Sequence, residues 1–92
     1  MTRGKCLLTV DWVVKQIIFF NQAQFKDKSM MHKLRYIFKL AATRGCEGSI
    51  EIFKQLCNST IAVDKIQKDV KKICTYVSPD EIKVVIVADK AI

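Results

Sequence analysis

Residues Ile82–Ala88, reading IKVVIVA, place three valines and two isoleucines in seven positions. Branched side chains suit the half-buried, pleated surface of a strand. The preceding Ser78-Pro79-Asp80-Glu81 reads as a turn, because proline removes a backbone donor and disfavours helix in the residue before it. Reading this stretch as a strand decides the expected fold: it makes the chain α+β. A second short strand is expected at Lys5–Val10 (KCLLTV), a brief apolar run rich in branched residues. Pairing the two would satisfy backbone groups that neither can satisfy alone, with helices over one face or a second copy covering the ribbon.

Between these runs the sequence predicts four helices. Thr9 or Asp11 can cap the first, which would extend to about Phe25. Its apolar residues, Trp12, Val13, Val14, Ile17, Ile18, Phe19, Phe20 and Ala23, cover more than one stripe, so it is either central or covered by a partner. Ser29 is the expected cap of the second helix, to about Thr43, with Gly45 as the left-handed stop. The third is short, from Ser49 to Cys57, with Ile50, Phe53, Leu56 and Cys57 inward. The fourth runs from Val63 or Asp64 to Val77, where Ile66, Val70, Ile73 and Val77 draw one narrow apolar line.

The expectation is thus a single domain over residues 1–92, mainly helical, with about four helices and short N- and C-terminal strands. From His32 to Ala88 the order is helix, glycine turn, short helix, turn, amphipathic helix, strand. In outline this resembles winged-helix regulators, and the resemblance implies a recognition helix at Val63–Val77. No residue motif carries the likeness further. The turn at Cys57-Asn58-Ser59-Thr60-Ile61 is also longer than such a turn normally is.

Charge sets the functional expectation. Sixteen Lys and Arg against nine Asp and Glu leave a formal +7, which favours polyanions. Lys65, Lys68 and Lys72 fall opposite the apolar line of the fourth helix and can meet phosphates. Asp64 and Asp69 on the same helix can pair with Lys68 and Lys65 and partly cancel that charge. A second basic group, Lys33, Arg35, Lys39 and Arg44, lies on or beside the second helix, with His32 and Tyr36 nearby and Lys26 and Lys28 before them. Its charges read as spread around the helix, which also suits a solvated face. The leading expectation is a nucleic-acid-binding protein, with DNA ahead of RNA. The alternative is a protein-interaction module or inhibitor, such as a phage or viral one, acting through Trp12, Phe19 and Phe20 of the first helix, which are also core candidates. A homodimer through the same helix or the terminal strands is one expectation for these apolar residues, and burial within a monomer is the other.

Catalysis is not expected. His32 is the single histidine, no glycine-rich phosphate loop is present, and no nucleophile motif surrounds a serine or cysteine. The four cysteines, Cys6, Cys46, Cys57 and Cys74, contain no CxxC, so neither zinc nor any cofactor is implied. Cys6, Cys57 and Cys74 read as core residues and Cys46 as an exposed turn residue. The apolar stretch from Cys6 to Phe20 is interrupted by Asp11 and Lys15, which argues against a signal peptide and a membrane span. A cytoplasmic or otherwise intracellular setting is expected.

Overall fold

A computed structural model describes residues 2–24 and 26–88, with side chains from residue 10 onward. Among the described residues it contains five helices and no strand: α1 (Thr2–Gln22), α2 (Lys28–Thr43), α3 (Ser49–Asn58), α4 (Val63–Cys74) and α5 (Pro79–Val87). The expected α+β architecture is therefore overturned. The winged-helix outline goes with it, because both segments that would supply a wing are helical.

The C-terminal run is α5 because of what precedes it. The Ser78 hydroxyl accepts from the Glu81 amide at 3.3 Å and donates to the Glu81 carboxylate, while Pro79 takes the first helical position. A serine cap followed three residues later by glutamate, with proline between, is a helix start signal. Asp80 and Glu81 then complement the positive end of the helix dipole. Burial follows the helical period: Ile82 and Ile86 lie in the core, whereas Val84 and Val87 are 68% and 60% exposed.

Lys5–Val10, the other expected strand, lies inside α1. No proline or turn separates it from Trp12–Phe20, and extending an existing helix costs far less than starting one. Thr9 and Asp11 are consequently interior helical residues and not caps. The Asp11 carboxylate instead pairs with Lys15 one turn on, at 3.4 Å. The expected end at Phe25 lies outside the described residues; α1 stops at Gln22 and Gln24 takes a left-handed φ of 59°.

The cap of α2 is Asp27, whose side chain accepts from the Met30 amide at 3.1 Å, and not Ser29. Gly45 ends this helix as expected. Its φ of 103° lets the Gly45 and Cys46 amides turn back to the Ala42 and Ala41 carbonyls. Gly48, at φ 81°, then feeds α3. On α3 the inner face belongs to Ser49, Ile52 and Leu56, with Phe53 half-buried, while Ile50 is exposed, contrary to its expected inward position.

The apolar line of Ile66, Val70, Ile73 and Val77 is buried as expected, each at most 2% exposed, but α4 ends at Cys74 and not at Val77, which lies in the turn beyond it. They join Val13, Val14, Ile17, Phe20, Leu34, Ile37, Phe38, Ala41, Ile82 and Ile86 in one buried cluster. α1 packs against α4 and α5, and α2 against α3 and α5, so α5 links the two halves. Among the described residues no helix is long and apolar enough to cross a membrane.

Candidate nucleic-acid interface

Two polar contacts hold α4 in place. Ahead of it, the buried Asn21 donates from Nδ2 to the carbonyls of Leu56 and Ser59, at 2.8 and 2.9 Å, and its Oδ1 accepts from the Ile61 amide at 3.1 Å. One side chain thus closes the end of α3 and fixes the loop into α4. Beyond α4, Arg44 donates to the Tyr76 carbonyl at 2.8 Å and pairs with Glu81 at 3.1 Å.

Between these anchors the buried line faces α1, leaving Lys65, Lys68, Lys71 and Lys72 exposed. At about 100° per residue, Lys68 stands nearly opposite the centre of the line, and Lys71 and Lys72 flank it symmetrically at roughly 130°. Lys71 is an addition to the expected set, and its i,i+3 spacing from Lys68 is the signal that places it there. Lys65 is the least free of the four, because its ammonium lies 3.2 Å from the Asp69 carboxylate. Asp64 and Lys68, the other expected pair, make no ion pair among those of the described residues. Lys72 leans toward the α2–α3 turn: a β-carbon on Gly48 would stand 3.8 Å from its nitrogen.

The basic group around α2 divides into two sets. Lys33 donates to the Ile86 and Ala88 carbonyls, both at 2.8 Å, and so caps the end of α5. Arg44 is engaged with Tyr76 and Glu81 as described. These two cations hold helices together. Arg35 and Lys39 remain exposed and, with Lys28 and His32, occupy roughly 60° of the helix circumference at about 100° per residue. The charges that read as scattered become a single line once these two engaged cations are set aside.

Of the three aromatic residues of α1, Phe20 is turned inward, whereas Trp12 and Phe19, seven residues apart, lie on one helical face. Phe20 is 4% exposed and belongs to the core cluster, while Phe19 is 74% exposed. Trp12 is half-buried, with the Lys83 ammonium 5.7 Å from its ring centroid.

Cys46, expected to be exposed, is 2% exposed. Cys46, Cys57 and Cys74 are free thiols, and burial pushes the Cys57 and Cys74 thiols above the ordinary range by disfavouring the thiolate. The side chain of Cys6 lies outside the described residues. Among the described residues no group of three or more His, Cys, Asp or Glu is placed to hold a metal ion. No protein-family model, curated protein or solved structure matches the chain, so the functional reading rests on these side chains.

Proposed function

We propose that the protein binds nucleic acid, with the outer face of α4 meeting the phosphate backbone of a duplex. The observation that carries this reading is the exposed set Lys68, Lys71 and Lys72, unpaired among the described residues, on a helix whose opposite face is locked into the core. Lysine is a compact charge that contacts phosphate without reading bases. The face holds no arginine to grip guanine with two hydrogen bonds, so recognition through it depends little on sequence.

The test is fluorescence anisotropy with a random duplex DNA, titrated from low to near-physiological salt. Every phosphate that the protein no longer neutralises should flatten the log–log salt slope by about 0.9. Replacing Lys68, Lys71 and Lys72 together with glutamine is therefore expected to flatten it by about 2 to 3. A slope unchanged by that triple substitution would reject the α4 site.

A second reading, a protein-interaction module, draws its support from Phe19, a large aromatic side chain that is 74% exposed. On this reading Phe19→Ser abolishes partner capture or self-association in light scattering, and the lysine substitutions leave it intact.

A further inference from the structure

We infer that the outer face of α2 is a separate site for single-stranded nucleic acid, with Tyr36 as a stacking platform for a base and Lys28, Arg35 and Lys39 as phosphate contacts. This site stands on a different helix from the duplex-binding face and does not depend on it.

The first argument is the company Tyr36 keeps. Its side chain is 57% exposed. His32 lies four residues before it and Lys39 three after, so these three share one helical face, with Arg35 at its far edge about 100° from Tyr36. An aromatic ring among cations is the recurring composition of single-strand sites, where stacking accepts any base and the cations follow the backbone. Phe19, the more exposed ring, lacks that setting: its neighbour Lys15 is already paired with Asp11.

The second argument is energetic. On α1 and α4 acidic residues one turn away partner some of the exposed lysines, Asp11 with Lys15 and Asp69 with Lys65, although Asp64 and Lys68 do not pair. α2 contains no acidic residue at all, and Arg35 and Lys39 form a like-charge i,i+4 pair that destabilises a helix. Asp27 at its start is occupied as the cap. Nothing in the fold is gained by that repulsion, whereas a bound polyanion would relieve it.

The third argument is shape. From Lys28 to Lys39 the line runs about 16 Å at 1.5 Å per residue, which matches about five nucleotides of stacked strand at roughly 3.4 Å each. Met30, Met31 and Leu40 are turned partly into the core, so the outer face offers one aromatic and no aliphatic ridge. That composition fits bases better than lipid chains.

The experiment compares short single-stranded DNA and RNA with a duplex of equal length, using the full chain and circular dichroism to check that each variant folds. Tyr36→Ala is expected to weaken single-strand binding roughly tenfold and to leave duplex binding unchanged, while Tyr36→Trp retains it. Arg35→Gln with Lys39→Gln should flatten the single-strand salt slope by about 1.4. Equal single-strand affinity in the wild type and Tyr36→Ala would overturn the inference, and so would salt-dependent binding to phosphatidylserine vesicles without binding to any single strand. The α4 glutamine triple should lower duplex binding alone. If it removes single-strand binding while the α2 changes do nothing, this inference fails and the α4 reading stands.

Discussion

Lys33 on α2 donates to the carbonyl of Ile86 on α5 at 2.8 Å, across 53 residues of sequence. The same ammonium reaches the Ala88 carbonyl, and at the far end of α2 Arg44 grips Glu81 and the Tyr76 carbonyl at the other end of α5. α2 and α5 therefore run antiparallel, clamped at both ends by cations. Lys33 also places positive charge at the negative end of the α5 dipole.

Removing that cap tests its structural role. Lys33→Met keeps the aliphatic stem but leaves the last carbonyls of α5 to water, and is expected to cost about 1 kcal/mol in urea unfolding. Nucleic-acid affinity and its salt slope should stay as they were. A flattened slope at unchanged stability would show that Lys33 contacts phosphate instead.

Asn21 makes a stronger claim on stability. Asn21→Asp replaces two donors with a carboxylate oxygen facing the carbonyls of Leu56 and Ser59, in a site only 2% exposed. The expected loss is roughly 3 kcal/mol, since buried acceptors are left unpaired beside a new charge. Thermal unfolding of the variant measures it; a cost well under about 1 kcal/mol would mean that water replaces the amide freely.

The helical assignment of the C-terminal run can be tested by pairing a buried position with an exposed one. Ile86→Ala is expected to cost about 2–4 kcal/mol through reduced burial and the cavity left behind. Val84→Glu, on the exposed side, should change stability by no more than about 0.5 kcal/mol. In a strand the two positions would share a face. Comparable damage from both would therefore return the segment to the strand reading.

The same segment shows where the sequence is legible. The inner face of α4 can be read residue by residue, because Ile66, Val70 and Ile73 alternate with charges at helical spacing, although the same spacing carried on to Val77 overruns the helix end at Cys74. Ile82–Ala88 misleads because β preference is a weak, context-dependent signal, while the decisive cue lies outside the run, in the cap formed by Ser78, Pro79 and Glu81. Read as a turn, those residues predict a strand; read as a cap, they predict a helix. At Lys5–Val10 the apolar run is too short to show a period, and its length alone suggests a strand. The candidate site divides in the same way. The exposure of Lys65, Lys68 and Lys72 follows from spacing alone, whereas the bonds of Lys33 and Arg44 to α5 and the turn before it depend on α5 lying beside α2, a tertiary fact no local pattern carries. The i, i+4, i+7, i+11 spacing of Lys28, His32, Arg35 and Lys39 is in the sequence, but with Lys33 and Arg44 counted beside them they do not stand out as a line.

Asp69 offers a gain-of-function test of the α4 face. Its carboxylate, with the side chain 17% exposed, holds the Lys65 ammonium at 3.2 Å and is the acidic group paired with this lysine set. Asp69→Asn removes one negative charge and frees Lys65 for phosphate. Duplex binding should tighten at low salt and the salt slope steepen by about 0.9, the increment of one added phosphate. The stability cost should be small, at most about 1 kcal/mol for a pair with an exposed lysine. Adding Lys65→Gln to Asp69→Asn should return the slope to the wild-type value, because the freed cation is then gone. If Asp69→Asn tightens binding without steepening the slope, its effect comes from relieved repulsion alone and Lys65 stands outside the interface. If neither affinity nor slope moves, the duplex does not lie along this end of α4, and binding is confined to Lys68, Lys71 and Lys72.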